Sequence, residues 1–270
     1  MNDLLQKAML LIDGFHLKEL DTYGQNFLID EGILDEEIRL AELKPDDIVL
    51  DIGAGLGYEV DKMRTTCKIV AIEKHFKLFS YLLDKYELDK NVRLINGDAL
   101  DIIYPKFNKV VSNPPYNIAD RILKKLIRYD FQSGVMILPK DLSDGLGGNG
   151  KQNKLSMLIS SFIEFKEIRD VPKEAFYPSP RVMSKMVKLK RKPYDFLQSV
   201  LKRDEMTVKN AVLRAYQEIA EKTKRQSREF LSKLDVDKFN FKDKEIKKLD
   251  IQEFTQFLSF LNNTNNELSA

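Results

Sequence analysis

Four short apolar runs, each ending on glycines or a polar residue, constrain the fold of this chain more than any other feature. Asp47-Ile48-Val49-Leu50-Asp51-Ile52 runs into Gly53-Ala54-Gly55-Leu56-Gly57, and Lys68-Ile69-Val70-Ala71-Ile72 stops at Glu73. Val92-Arg93-Leu94-Ile95 stops at Asn96-Gly97-Asp98, and Val110-Val111-Ser112 runs into Asn113-Pro114-Pro115-Tyr116-Asn117. Runs this short and β-branched read as buried strands. Helical spacing lies around them, in Ile33–Leu43 closed by Pro45, in His75–Tyr86 and in 119–128 with Asp120 as its cap. Gly134–Leu138 makes a fifth strand. Strand and helix alternating at this spacing predict an α/β fold, a doubly wound and mainly parallel sheet. Phe162–Val171 and Val182–Leu189 read as an antiparallel pair at its edge, and Gly145–Gly150 as a mobile surface loop.

After Pro193 the strand signals stop. Val208, Val212, Ala215 and Ile219 keep helical spacing, and Asp250-Ile251-Gln252-Glu253 is spaced as a capping box before Phe254–Leu261. This predicts a first domain over residues 1–191 and a small all-helical domain over 192–270, with 262–270 as a frayed tail. A single cysteine, Cys67, excludes an internal disulfide, and with only His16 and His75 a thiolate–imidazole metal site is not expected. No apolar run is long enough to span a bilayer, and Met1–Leu20 mixes acids and lysines as an amphipathic helix does, unlike a signal peptide. A cytoplasmic protein without a structural metal is the expectation. The formal charge of +2 says little about partners, but cations cluster at Arg121/Lys124/Lys125/Arg128 and along 181–192. Such runs neutralise phosphates or merely face solvent.

Open α/β sheets bind ligands at the carboxyl ends of their strands. The turn at Gly53, Gly55 and Gly57 is G-x-G-x-G; it is neither the dinucleotide fingerprint nor a phosphate-cradling loop with its lysine. Glycines there still let a ligand approach the backbone closely. Glu73 offers two acceptor oxygens to ribose hydroxyls, and Asp98 an acceptor to an adenine amino group. S-adenosylmethionine, with ribose, adenine, a sulfonium and no phosphate, matches that set. A strand-end glycine turn and two capping acids are the plain alternative.

The Asn113–Asn117 loop is stiff, since proline fixes its own φ and restricts the residue before it. It presents a side-chain amide, carbonyls and an aromatic face. Accepting the hydrogens of an aromatic amine with the Asn113 side-chain oxygen and the Pro114 carbonyl draws the nitrogen lone pair out of the ring plane. Transfer of a methyl group then needs positioning more than a strong base. Tyr116 is placed to stack on the base, and Phe176, from the stiff loop Val171–Pro180, to close its other face. Core packing is the alternative for Phe176 and Tyr177.

Tyr23-Gly24-Gln25-Asn26-Phe27-Leu28-Ile29-Asp30, Asp51–Gly57, Asn113–Asn117 and Val171–Val182 stand in the order seen in the ribosomal RNA adenine dimethyltransferases. Thr207–Ala211 and Leu249–Phe254 extend the resemblance, so that it covers about residues 22–261. The chain resembles that family, which includes the kasugamycin-sensitivity enzyme and its archaeal and eukaryotic relatives. The resemblance implies a Rossmann-like class I methyltransferase sheet with a helical domain behind it. It implies a donor site of Asn26, Leu28, Gly53, Gly55, Glu73, Asp98 and Asn113, with Asn113, Pro114, Tyr116 and Phe176 handling the target. The reaction implied is dimethylation of N6 on two adjacent adenosines near the 3′ end of small-subunit rRNA. A monomer acting on a pre-30S-type particle is the partner arrangement implied. Arg181, Lys185, Lys188, Lys190, Arg203 and Lys209 become candidate contacts to RNA backbone.

Several positions depart from the family pattern. Pro114 replaces a leucine, Glu19-Leu20-Asp21 stands where lysines are usual, and Leu138-Pro139-Lys140-Asp141 replaces a Gln-Lys-Glu type segment. A basic cluster is thinned to Arg203-Asp204-Glu205-Met206. Alternatives are a large-subunit rRNA adenine methyltransferase of the macrolide-resistance type, a protein-glutamine methyltransferase and a non-enzymatic ribosome-assembly factor.

Overall fold

The computed structural model describes residues 3–17 and 25–269. Tyr23, Gly24 and the Glu19–Asp21 departure lie outside the described residues. In chain order the first elements are α1 (Asp3–Gly14), β1 (Phe27–Leu28), α2 (Glu31–Leu40), β2 (Ile48–Ile52), α3 (Tyr58–Met63), β3 (Lys68–Glu73) and α4 (Phe76–Lys85). Then come β4 (Val92–Asn96), β5 (Lys109–Ser112), α5 (Ala119–Leu126), β6 (Ser133–Pro139), α6 (Lys140–Gly147) and α7 (Lys154–Phe162). They are followed by β7 (Ile163–Val171), β8 (Phe176–Tyr177), β9 (Ser184–Arg191), α8 (Phe196–Leu201), α9 (Val208–Ile219), α10 (Lys224–Lys233) and α11 (Ile251–Ser269).

Seven strands form one sheet in the order β4-β3-β2-β5-β6-β9-β7. The pairs from β4 to β6 are parallel, and β9 runs antiparallel between β6 and β7. Chain order reverses between β2 and β5, so a crevice opens at their carboxyl ends. The ladder there stops at Leu50 opposite Val110. Beyond it the Ser112 hydroxyl donates to the Ile52 carbonyl (2.8 Å) and accepts from the Ile52 N–H (3.2 Å), holding the diverging ends at a set spacing. At the opposite ends of the same strands, Lys109 Nζ meets the Asp47 carboxylate (3.2 Å) and donates to the carbonyls of Ala41 (2.8 Å) and Glu42 (2.5 Å). Asp47 also accepts from Asn108 Nδ2 and from the Lys44 N–H, each at 2.7 Å.

Strands β2, β3, β5 and β6 are buried almost throughout, as their unbroken apolar runs require. Each buried leucine or valine contributes about 1.5–3 kcal/mol on leaving water. Helix α2 begins where Asp30 accepts from the Ile33 N–H (3.0 Å). Helix α5 begins at Ala119, one residue ahead of Asp120, whose carboxylate instead takes its neighbour's N–H at Arg121. The glycine-rich segment is partly helical: α6 runs to Gly147, and Gly148, at φ +81°, caps it in a conformation glycine adopts without strain.

The chain forms two compact units, Met1–Lys151 with Ile163–Arg191, and Gln152–Phe162 with Lys192–Ala270. Residues 152–162 thus belong with the helical part, because Lys154 Nζ donates to the carbonyls of Ile246, Lys247 and Leu249 at 2.7–2.9 Å. In that unit Val208, Ala211, Val212 and Ala215 form the buried stripe of α9. The Asp250/Glu253 box closes at 2.9 and 3.0 Å in front of α11. That helix continues to Ser269 instead of fraying at 262, and Asn265 Nδ2 donates to Asp195 (3.1 Å), the residue that caps α8.

Candidate active site

At the crevice a cavity of about 320 Å³ collects residues from five strand or turn segments, among them Asn26, Leu28, Gly53, Gly55, Glu73, Asp98, Asn113, Pro114 and Tyr116. Of these, Gly53, Gly55, Glu73, Asp98 and Asn113 are the ones the strand-end argument selects, Pro114 and Tyr116 come from the proline loop, and Asn26 and Leu28 are those the family resemblance adds. The glycine turn is held from below, since the Gly53 and Ala54 N–H groups both donate to the Ile72 carbonyl (2.8 and 3.1 Å). Gly53 has φ +83°, and a Cβ there would sit 2.9 Å from Pro115 Cδ. Gly55, at φ +54°, would place its Cβ 2.9 Å from Phe27. The turn therefore packs directly on the proline loop on one side and on β1 on the other.

Glu73 is buried, and its two oxygens accept backbone N–H groups, among them Gly55 (2.9 Å) and His75 (2.7 Å), with Lys74 beside them. Burial raises its pKa despite these donors. A carboxylate offers about four lone-pair sites, so acceptor capacity remains for a ligand hydroxyl. The Asp98 carboxylate accepts from Lys74 Nζ and from the Leu100 N–H, both at 2.8 Å, and the lysine holds its pKa below the usual carboxylate range.

Asn113 is the most telling group. Its Nδ2 donates to the Asn26 carbonyl (3.1 Å), while its Oδ1 is buried without any partner. That bond orients the amide so that the oxygen is the atom left for a ligand N–H. A buried acceptor without a partner costs about 1–3 kcal/mol, a cost that a ligand donor would offset. Tyr116 follows in a short 3₁₀ turn, and its hydroxyl shares a 2.5 Å hydrogen bond with the buried Ser184. Burial, then the nearby Glu37, raises the Tyr116 pKa, so the phenol stays neutral.

Phe176 stands differently from its place in the sequence argument. It is 2% exposed, does not line the cavity, and packs edge-to-face on Tyr116 with ring centroids 6.2 Å apart. Strand β8 pairs antiparallel with β1, Leu28 opposite Phe176 and Phe27 opposite Tyr177. The two segments that most narrowly resemble the dimethyltransferases are thus one ribbon against the Tyr116 side of the site.

The candidate RNA cations are largely engaged within the fold. Lys185 pairs with Glu167 (2.5 Å) and with Asp144, which raises its pKa. Lys188 pairs with Glu42 (2.7 Å), Arg203 with Glu218 and Lys209 with Asp237 (2.9 Å). Lys190 and Arg181 are exposed.

Several cavity residues are not evident from the sequence: Glu59, Lys74 and Arg121 all line it. Glu59 is 9% exposed, and burial, reinforced by Asp61, lifts its pKa to about 7. Behind it lie Asp51, whose Oδ2 has no partner, and Glu37, with neither oxygen partnered. Burial and the neighbouring carboxyls raise both pKa values well above the ordinary range. The available signal was burial spacing: Tyr58, Val60 and Met63 are apolar, and Glu59 falls inside that buried run. Carboxylates on a cavity wall beside a glycine turn suit a cationic, ribose-bearing ligand, so the residues present fit S-adenosylmethionine.

A model of the family described as ribosomal RNA adenine dimethylase matches residues 17–263. A protein of Thermococcus sibiricus named "Probable ribosomal RNA small subunit methyltransferase A" is 35% identical over 196 residues, 71% of each chain. The crystal structure of a dimethyladenosine transferase from Plasmodium falciparum superposes with a TM-score of 0.60 at 26% identity, covering 88% of this chain and 98% of that one. A 23S rRNA methyltransferase shares the fold, with a TM-score of 0.59 at 19% identity over 88% of this chain and all of the other.

Proposed function

The chain belongs to the ribosomal RNA adenine dimethylase family, and from that premise we propose that it dimethylates N6 of two adjacent adenosines near the 3′ end of small-subunit rRNA. It is an S-adenosylmethionine-dependent methyltransferase with a class I sheet. The observation that carries the substrate reading is the buried, unpartnered Asn113 Oδ1, its amide oriented by Asn26, beside the glycine turn. An adenine amino group supplies the N–H such an acceptor lacks.

When bound, the donor supplies a methyl group made electrophilic by its sulfonium. The chain's residues do the rest by placement. Glu73 meets the ribose and Asp98 the adenine edge of the donor, while Glu59 adds negative charge to the wall. Asn113 Oδ1 and the Pro114 carbonyl accept the target's N–H hydrogens, leaving the nitrogen lone pair directed at the methyl carbon. The bound donor would supply the methyl group for a nitrogen so held, with its sulfur as leaving group, and the amine proton displaced by methylation would pass to solvent. Holding the reacting atoms in line in a preorganised site accounts for catalysis without a strong base. Tyr116, braced by Ser184 and Phe176, offers its ring to the target base, and stacking of that kind is worth roughly 1–3 kcal/mol per base.

The substrate is a pre-30S-type particle, met in the cytoplasm by a monomer. The helical part from residue 192 serves rRNA contact, a role supported by the family match running through it to residue 263. The test is labelled-donor methylation of isolated small and large subunits, followed by mass spectrometry of the rRNA. Dimethyladenosine in small-subunit rRNA is expected; label confined to the large subunit overturns the reading.

A further inference from the structure

A second concavity, of about 700 Å³, adjoins the site and is walled by α5 on one side and residues 100–103 on the other. Arg121 lines both this groove and the donor cavity, so the two are continuous. Resting on the RNA reading above, we propose that this groove holds the phosphodiester strand flanking the target adenosine.

Arg121, Lys124 and Arg128 follow one another at helical spacing on α5 and the turn that ends it, and all three are exposed. None forms an ion pair with a described carboxylate, whereas Lys185, Lys188, Arg203 and Lys209 all do. Unpaired cations on one face are available to phosphates; paired ones must first give up a partner. Lys125, on the same helix, has another task. Its ammonium donates to the carbonyls of Ala99 (2.8 Å), Leu100 (3.0 Å) and Ile102, and lies 4.4 Å from the Tyr104 ring centre. It thereby ties the groove's far wall to α5 and turns carbonyl oxygens, which would repel phosphate, toward an ammonium.

That wall is also part of the donor site, because Asp98 accepts from Leu100 N–H with its side chain and from Asp101 and Ile102 N–H with its carbonyl. Ile103, 87% exposed at the rim, offers an apolar face to a sugar or base. A single acid, Asp101, lines the groove against these cations. Positive charge, a width open to solvent and continuity with the target site through Arg121 match an extended polyanion leading to a nucleotide drawn into the cavity.

The test uses the full chain carrying Lys124→Glu with Arg128→Glu, leaving Arg121 intact because it lines the donor cavity. A control of equal charge, Lys90→Glu with Lys106→Glu, alters exposed lysines outside the groove. The probe is a transcript of the small-subunit rRNA 3′ hairpin, bound by filter assay across a salt series, with methylation kinetics and donor calorimetry alongside. We expect RNA affinity to fall about tenfold or more at 0.1 M salt, and the slope of log K against log salt to lessen by about 1.4, two phosphates at about 0.7 each. KM for RNA rises, while kcat, donor affinity and melting temperature stay at wild-type values. Affinity and slope within twofold of wild type, or an equal loss in the control, overturn the proposal. If the wild type binds the transcript but methylates neither it nor isolated small subunits, and the groove variant still loses affinity, the reaction assignment falls and the groove stands. If methylation occurs and the groove variant binds normally, the groove falls and the reaction stands.

Discussion

Strands β2 and β5 are treated in opposite ways at their two ends. At the amino ends Lys109, Asp47 and Asn108 form a buried network, Lys109 spending its ammonium on a carboxylate and two carbonyls. Toward the carboxyl ends, Asp51 Oδ2 within β2 and Asn113 Oδ1 directly after β5 are buried with no hydrogen-bond partner. The same ladder thus carries a satisfied polar cluster at one end and unsatisfied polar atoms at the other, of which Asn113 Oδ1 belongs to a residue lining the cavity and is the one proposed to receive a ligand. Satisfaction, more than residue type, separates structure from site here.

The foot should break as a structural element does. Lys109→Met keeps the apolar stem but strands the Asp47 charge, and removing one partner of a buried pair costs about 3–5 kcal/mol. Urea unfolding should show that loss, while the folded fraction binds donor normally; an unchanged unfolding midpoint would refute the comparison at this end. Asn113→Ala should do the reverse. Losing the oriented acceptor should lower kcat by about 10²–10³, the cost of deleting one preorganised transition-state group. Stability should hold or rise, since an orphaned polar atom is removed. Donor calorimetry should show binding retained, because the glycine turn, Glu73 and Asp98 are untouched.

Phe176 tests which side of this divide the β1–β8 ribbon lies on. Phe176→Leu shrinks a buried side chain behind Tyr116, so about 1–2 kcal/mol of stability should go. If bracing of Tyr116 matters to the target base, turnover on RNA falls several-fold while donor affinity is spared. Wild-type turnover in the folded variant assigns Phe176 to the core alone.

How much of this was legible in the chain follows the same divide. The glycine turn, Glu73, Asp98 and Asn113 are readable because each directly ends an apolar run, where the sheet must present whatever comes next. The Tyr116–Ser184 bond and the Leu28–Phe176 pairing are not, because they join residues far apart in sequence through β9 and β8. Charge runs mislead for a related reason. Lys185 and Arg203 sit in basic stretches, but their acids, Glu167 with Asp144 and Glu218, come from other elements. The basic run on α5 keeps its exposure because the helix turns Ile122, Leu123 and Leu126 inward. Glu59 escapes notice since an acid in the first turn of a helix ordinarily just caps it.

Glu59 gives the smallest effect and the sharpest sign. Its folded pKa of about 7 lies above the unfolded value near 4.5, mainly through burial. A carboxyl raised in this way contributes stability that is present below pH 4.5 and is lost as pH rises through 7, because the folded state must then hold a buried charge. Glu59→Gln removes that loss. Measured without donor, the variant should melt a few degrees above wild type at pH 8, with the gap closing toward pH 5. Donor binding should move the other way. Ionisation of Glu59 places negative charge on the wall facing a cationic ligand, so wild-type affinity should rise through about pH 7, and the variant should lack that rise. A more stable protein that holds its donor less tightly is what a buried carboxyl lining the donor cavity predicts. If Glu59→Gln instead lowers the melting temperature at pH 8 and leaves the donor's pH profile unchanged, Glu59 belongs with Asp47 and Lys109 among the groups that hold.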